Sequence, residues 1–250
     1  MQPEIPLSGG NASVGVVRVG STVRKPWTEN SAGVAAYMRA LRARGIDLPE
    51  PRGRDDQGRM VTEYVRGTLA MDSPPLNRDE LTRVGAMIRA IHDASVGLDP
   101  EELGLGPALL PVADPNLVCH GDLTPWNLVI GDRWVFIDWD GSAASTRVWD
   151  LAYSAQAFTL NDVTEDPTAA AQRLRAFVSG YGADAMLRAQ LTSALAGRAW
   201  AMHDMLERAH HDGREPWGSM YTEGHGAHWR AVARYLEQHA GVWQAALTAA

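Results

Sequence analysis

Over the first third of the chain, hydrophobic and polar positions alternate in short runs. SVGVVRV (13–19) and TVRKPW (22–27) read as strands, joined through Gly20 and Ser21, a pair suited to a two-residue hairpin turn. Val34, Tyr37, Met38 and Leu41 then follow the spacing i, i+3, i+4, i+7, which predicts a short helix. RMVTEYV (59–65) reads as another strand, and the Pro-Pro pair of MDSPPLN (71–77) marks a linker. After it the spacing is helical almost throughout, apart from the region 117–138.

Two helices stand out. One runs from Arg78 to about Ser95 and opens with Asn77 and Glu80 at capping-box spacing, with Leu81, Val84, Ile88 and Ile91 as its apolar stripe. The other spans about 184–210, with Leu187, Leu191, Leu195, Met202 and Leu206 on one face. The pattern predicts a small β-rich lobe, a linker near 66–76 and a larger, mainly helical lobe.

The exception at 117–138 carries the chemistry. In VCHGDLTPWNLVIGDRWVFIDWD (118–140), strand-forming residues enclose His120, Asp122, Asn127, Asp138 and Asp140. Polar groups near a core cost free energy unless they find partners. Leu128–Ile130 and the run 134–137 form a predicted hairpin about Gly131, Asp132 and Arg133. Counting outward from that turn sets Asn127 within one residue of Asp138. Paired strands lie ~4.8 Å apart, and two oxygens on one Mg²⁺, at ~2.1 Å each, lie at most ~4 Å apart. The open end of the hairpin therefore fits an amide oxygen and a carboxylate on one hard cation, Mg²⁺ or Mn²⁺ in preference to zinc. Asp122 lies in the loop entering the same end, free to face a substrate. Each residue alone also fits a turn or a strand-end cap; it is the convergence of three that points to a site.

His120-Gly121-Asp122-x-x-x-x-Asn127, followed by Ile137-Asp138-Trp139 and Asp150-Leu151-Ala152, resembles the aminoglycoside phosphotransferase and choline kinase family. The likeness runs in order through hairpin lobe, hinge, the IRAIHDAS helix, hairpin and helical tail. It implies an α+β, bilobal, protein-kinase-like fold with a small antiparallel-sheet N-lobe and a larger mainly helical C-lobe. Residues 1–67 would be the nucleotide-binding lobe, and 68–250 the helical lobe with the hairpin and acceptor site. It implies phosphorylation of small-molecule hydroxyls with ATP or GTP and Mg²⁺. On this resemblance Asp122 is the catalytic base, Asn127 and Asp138 are metal ligands, and His120 and Asp150 brace the loop. Asp140 either approaches a second metal or the substrate, or is a solvated acid. TEYVRG (62–67) resembles the interlobe hinge, so the backbone of Glu63, Tyr64 and Val65 would read the adenine edge. Such transfer passes through a loose transition state, which positioning and cations largely serve.

Composition sharpens one residue. Of 23 basic side chains, Lys25 is the only lysine. In the hairpin about Gly20–Ser21, Val16 pairs with Lys25, and side chains alternate faces. Val14, Val16, Val23 and Lys25 then share one face, with Arg24 on the other. The valines would cover the adenine and the ammonium would reach the phosphates as a compact charge. Two features depart from the kinase pattern. Gly9 and Gly10 do not complete a G-x-G-x-x-G loop, and Glu29 is the only acid placed to pair with Lys25 from the following helix.

The formal net charge of −7 opposes general nucleic-acid or anionic-membrane binding. The single cysteine, Cys119, reads as a small buried hydrophobe and suits a reducing compartment. With no signal-peptide pattern in MQPEIPLSGG, the expected place is the cytoplasm. The expected partner is a small hydroxyl acceptor, and the protein a monomer or dimer. Acceptors range from aminoglycoside-like antibiotics to amino-alcohol or sugar metabolites. Trp126 is placed to shape the acceptor pocket. Gly197, Trp200, Asp204, Glu207 and His211 share one helical face that suits an amine-bearing ligand, or else a solvated surface. Arg198, within the apolar stripe, is expected to snorkel or pair with an acid. The histidines after residue 200 show no metal spacing with acid partners. A catalytically inactive nucleotide-binding pseudokinase is the alternative, one with no use for Asp122.

Overall fold

A computed structural model gives the structure, described over residues 3–7 and 15–248. Gly9, Gly10 and Val14 lie outside the described residues. The first lobe is one antiparallel sheet of β1 (Glu4–Pro6), β2 (Val17–Val19), β3 (Thr22–Lys25), β4 (Pro51–Arg54) and β5 (Met60–Glu63), in the order β1-β2-β3-β5-β4. Its helix, α1 (Ser31–Ala43), connects β3 to β4. Arg18 pairs with Val23 and Val17 with Arg24, the register expected from the Gly20–Ser21 turn. β3 stops at Lys25 because Pro26 has no N–H to offer a ladder. The sequence did not announce β1 and β4. Both are edge strands, both contain proline, and β4 pairs with a register shift between Pro51 and Gly53.

The second lobe is helical. It comprises α2 (Arg78–Ser95), α3 (Pro100–Leu103), α4 (Arg147–Thr159), α5 (Pro167–Tyr181), α6 (Ala185–His211), α7 (Trp217–Met220), α8 (Gly226–Gln238) and α9 (Ala240–Thr248). The capping box is present: Glu80 N donates to Asn77 Oδ1 at 3.0 Å, and Asn77 N donates to Glu80 Oε2 at 2.8 Å. On α6 the expected stripe holds at Leu191, Leu195 and Leu206, whereas Leu187 and Met202 are only partly covered. Arg198, Ala199 and His203 complete the buried face instead.

Two short pieces of sheet sit between the lobes. β6 (Thr68–Leu69), β8 (Leu128–Ile130) and β9 (Trp134–Phe136) form one, and β7 (Leu117–Cys119) with β10 (Ala143–Ser145) another. Gly67 and Gly131 let the interlobe strand cross the hairpin. A Cβ on Gly67, at φ +150°, would stand 2.3 Å from the Ile130 carbonyl oxygen. The two lobes also share a core. Tyr37 of α1 donates or accepts at Ser95 Oγ (2.7 Å), donates to the Val118 carbonyl (3.1 Å) and packs edge-on to Trp139.

Helices α2 and α5 meet backbone to backbone. A Cβ on Gly85 would lie 2.1 Å from the Phe177 carbonyl oxygen, and one on Gly180 would lie 2.0 Å from that of Thr82. In an ordinary helix, Gly→Ala gains ~1 kcal/mol of propensity. Forcing two packed helices apart costs ~1–3 kcal/mol or more, so the clash should win. Gly85→Ala and Gly180→Ala are each expected to lower the urea midpoint. A raised midpoint in either variant would show that propensity outweighs this contact.

Candidate active site

β7 delivers the chain into the protein at His120, and the chain must then turn sharply. Gly121 makes the turn at φ +82°, with Gly141 O only 2.7 Å from where a Cβ would stand. Its buried amide donates to Asp150 Oδ1 at 3.0 Å. The other Asp150 oxygen accepts from His92 Nε2 at 3.0 Å, and His92 Nδ1 accepts from the Tyr181 hydroxyl at 2.8 Å. Burial alone would raise the Asp150 pKa; the His92 hydrogen bond, with the Gly121 amide, holds it below the usual carboxylate range. His120 Nε2 donates to the Ile137 carbonyl at 3.1 Å, and its Nδ1 accepts from Asp122 N at 3.2 Å. That pairing needs a neutral ring. Burial lowers the His120 pKa accordingly.

The hairpin register then places the next residues. Leu128 pairs with Phe136, and Ile137 N donates to Asn127 O at 2.8 Å. Asn127 thus faces Ile137, one residue before Asp138. Its Nδ2 donates to the Asp122 carbonyl (3.1 Å) and to Asp122 Oδ2 (2.7 Å). Both partners are acceptors, which fixes the amide orientation and leaves Oδ1 free. Asp122 also accepts from Trp126 Nε1 at 3.2 Å and from Thr124 Oγ1 at 3.3 Å, and the Tyr153 phenol lies on its other side. Burial nevertheless pushes its pKa up to about 6, with Asp138 adding to the rise. A carboxylate near 6 still ionises at neutral pH and is a better proton acceptor than a solvated one.

Lys25 reaches across from β3. Its Nζ lies 2.5 Å from Asp140 Oδ1 and 3.3 Å from Asp138 Oδ1. Burial disfavours the ammonium, but Asp140 and Asp138 outweigh it and its pKa rises. Glu29 is exposed before α1, so the acids beside Lys25 come from the hairpin exit and not from the helix. Asp138 adopts left-handed φ 58°, ψ 67°, a conformation that costs most residues ~1–2 kcal/mol. Asn30 adds a tie absent from the sequence reading: its Nδ2 donates to the Asp140 carbonyl at 3.3 Å, and its Oδ1 accepts from Gly106 N at 2.7 Å. Arg24 points away and pairs with Asp55 at 2.9 Å.

Between these residues lies a cleft of about 250 Å³. Val16, Val23 and Lys25 line it from the sheet, and Glu63, Tyr64 and Val65 from the interlobe segment. Trp126, Asn127 and Asp138 line it from the hairpin. Asn127 Oδ1 and the Asp138 carboxylate thus open onto one cavity as hard oxygen donors, a set that fits Mg²⁺.

Trp200, Asp204 and Glu207 do not line that cleft. Trp200 Nε1 donates to Glu237 Oε1 (2.8 Å), Asp204 Oδ1 accepts from His203 Nδ1 (3.0 Å), and Glu207 Oε1 accepts from the Tyr221 hydroxyl (2.9 Å). His203, Asp204 and Glu207 do gather three possible ligand atoms within 4.8 Å, a grouping the sequence reading passed over. Arg230 already donates to His203 Nε2 from Nε (3.3 Å) and Nη2 (3.2 Å), while the Nδ1–H serves Asp204. Arg198 departs from expectation. It neither snorkels nor forms an ion pair among the described residues; it is 6% exposed and stacks 4.0 Å from the Tyr153 ring centre. His92 and Tyr153 were missed, yet His92 had a signal: it is polar within the stripe of Ile88, Ile91 and Ser95.

With the geometry in place, similarity to known proteins is informative. Residues 98–191 match the phosphotransferase enzyme family. The chain carries a phosphotransferase-family segment. It contains the His120–Asn127 loop, Asp138 and Asp150, and so the resemblance to the aminoglycoside phosphotransferase and choline kinase family holds. The chain is 28% identical over 238 residues to the trifolitoxin immunity protein of Rhizobium leguminosarum bv. trifolii, covering 84% of this chain and 85% of that protein. Its fold resembles a choline/ethanolamine kinase family protein from Mesorhizobium loti (TM-score 0.59, 18% identity, covering 97% of this chain and 92% of that one). It also resembles an amicoumacin kinase solved with AMP-PNP, Ca²⁺ and Ami (TM-score 0.63, 14% identity, covering 91% and 86%). The fold is therefore the bilobal, kinase-like α+β fold that these two structures share.

Asp150→Asn tests how the loop is held. One of the two donors, Gly121 N–H or His92 Nε2–H, would then face an amide NH₂ at about 3 Å in a buried site. Breaking such an arrangement costs ~3 kcal/mol or more. The pH sign follows from the same group. Its folded pKa is depressed, so its stabilisation is present above the unfolded value of ~3.9 and is lost as pH falls through the folded value. Urea midpoints should show a large loss for Asp150→Asn at pH 7 that narrows in strong acid. A midpoint unchanged at pH 7 would free the loop from Asp150.

Proposed function

We propose that this protein transfers the γ-phosphoryl group of ATP or GTP to a hydroxyl of a small molecule, with Mg²⁺ bound. The observation that carries this reading is the convergence of Asn127, Asp138 and Lys25 on one cleft, with Asp122 hydrogen-bonded to the Asn127 amide. The valine-lined sheet face suits a flat base. Val65 N makes no hydrogen bond among the described residues, so the interlobe backbone has a donor for the base edge. Lys25 would move from its two carboxylates onto the phosphates. Asn127 Oδ1 and Asp138 would hold Mg²⁺, which neutralises charge on the phosphates when bound.

The acceptor hydroxyl oxygen attacks the γ-phosphorus, and the bond from phosphorus to the bridging oxygen of the nucleoside diphosphate breaks. The hydroxyl proton passes to Asp122, and the diphosphate leaves with the bond electrons. Asn127 and Trp126 orient Asp122 for that proton, each through an N–H on its Oδ2. An antimicrobial compound is the acceptor class that the trifolitoxin immunity relative and the amicoumacin kinase fold support. Amino alcohols and sugars are the metabolite counterparts, which the choline/ethanolamine kinase fold supports. The chain has no helix among its described residues long and apolar enough to cross a membrane, and Cys119 is buried and unpaired. The buried free thiol supports a reducing compartment such as the cytoplasm. A nucleotide-binding scaffold without turnover is the alternative, and it has no use for three donors trained on the Asp122 carboxylate.

Asp122→Asn is expected to lower turnover by ~100-fold or more while nucleotide affinity stays within about twofold. Comparable turnover in this variant would remove Asp122 from the chemistry and favour the scaffold. Lys25→Ala should weaken ATP binding far more than adenosine binding, whereas Arg24→Ala, paired with Asp55 on the other face, should alter neither. A phosphate-dependent loss in Arg24→Ala instead would reverse the assignment of faces. Asp138→Asn should raise the Mg²⁺ concentration needed for nucleotide binding, since a neutral oxygen replaces a carboxylate. An unchanged Mg²⁺ titration would take Asp138 out of the metal site.

A further inference from the structure

Tyr153 links Asp122 to the helical lobe. Its hydroxyl interacts with Asp122, and its ring, 5% exposed, meets Trp126 at 6.3 Å and Trp229 at 5.8 Å between centres. The Arg198 guanidinium lies over the same ring at 4.0 Å and 5.8 Å from the Trp149 ring. A cation–π contact occupies the face of a guanidinium and leaves its in-plane N–H groups to find acceptors. Arg198 Nη1 is buried and has found none, and Trp149 Nε1 is also buried and without a partner. Both groups can only donate. Among the described residues one unpartnered donor is charged and lies over the Tyr153 ring, and the other belongs to an indole near the same guanidinium. No carboxylate pairs directly with this guanidinium among the described residues, although the charges of Asp150 and Asp122 act on it from further off, and an unfilled buried donor is costly.

We propose that Arg198 and Trp149 form a subsite for an acidic group of the acceptor, so that the phosphorylated molecule is a hydroxy compound bearing a carboxylate or a similar anion. This rests on the phosphoryl-transfer reading of Asp122. An acid placed there supplies the missing acceptor atoms, neutralises the guanidinium and leaves a hydroxyl of the same molecule to reach Asp122. An ammonium would instead meet a cation. The acids on α6 do not compensate, because Glu207, nine residues on, projects from the opposite side of the helix to Arg198.

The test uses the full chain with ATP and Mg²⁺ and two series matched in shape but not in charge. One is gluconate, glucitol and glucamine; the other is glycerate, glycerol and 3-amino-1,2-propanediol. ADP release and ³¹P NMR of the phosphoester report transfer, and ATP binding is measured separately. Trp149→Phe keeps the ring and removes only the donor, and Arg198→Lys keeps the charge and removes the fork. The anionic member of at least one series should exceed its amine counterpart about tenfold or more in kcat/KM. Both variants should lower that value about tenfold while the neutral member and ATP affinity stay constant. Preference for the amines, ATP binding with no transfer to either anion, or equal losses across all three charges would each overturn the subsite. So would variants that leave anion kinetics unaltered, as expected if buried water satisfies both donors. Failure to bind ATP, or loss of all transfer with Asp122 intact, would instead count against phosphoryl transfer itself.

Discussion

The loop that carries Asp122 depends on finding an acceptor for one buried amide. β7 ends inside the protein, and the chain can reverse there only through the left-handed turn at Gly121, which points its N–H into the core. The Asp150 carboxylate, itself buried, is the acceptor. A carboxylate in that place needs a second donor, which His92 supplies from α2, and His92 in turn takes the Tyr181 hydroxyl of α5. Removing any member leaves another polar group buried and unmatched. The close α2–α5 crossing at Gly85 and Gly180 therefore matters to the site, because it sets where the His92–Tyr181 bond lies.

The other side of the cleft is held differently. The first lobe reaches the hairpin through one ammonium, and Lys25 meets two acids that leave β9 in a left-handed bend. Such a pair is strong while nothing else occupies the cleft and is replaceable when phosphates and a cation arrive. Tyr37, hydrogen-bonded to Ser95 and Val118, provides the fixed part of the junction. Rigid packing at Tyr37 with an exchangeable contact at Lys25 is an arrangement that lets the cleft rebind its charges without losing its shape.

Much of this was legible because the signals were local. The Asn77 capping box set the start of α2, and the Gly20–Ser21 and Gly131–Arg133 turns set two registers from which the face of Lys25 and the opposition of Asn127 and Ile137 followed. What stayed hidden depended on distant chain. β1, β4 and β10 are short and gain their pairing from strands already formed, and their prolines or small residues give no strand signal of their own. The acids beside Lys25 were sought in α1 because a helix follows β3, yet they come from more than a hundred residues away. Arg198 was misread for a related reason. Its place in an apolar stripe says that it is covered, but only tertiary structure shows that the cover is aromatic and holds no acid.

That contrast gives Asp122 two unlike surroundings. Toward the hairpin it meets an amide and an indole, which orient it, and beyond them Asp138 and Lys25, whose charges belong to the nucleotide side. Toward the helices stands a phenol backed by the Arg198 guanidinium, on which the Asp122 and Asp150 charges act without a direct ion pair among the described residues. Burial weakens the carboxylate's hold on its charge, and each hydrogen bond restores part of it, so its affinity for a proton reflects both walls at once. A ligand that neutralised Arg198 would remove one of the positive fields acting on Asp122. The carboxylate would then hold a proton more readily at the moment an acceptor is in place. Selecting the acceptor and tuning the proton acceptor would be two consequences of the same contact.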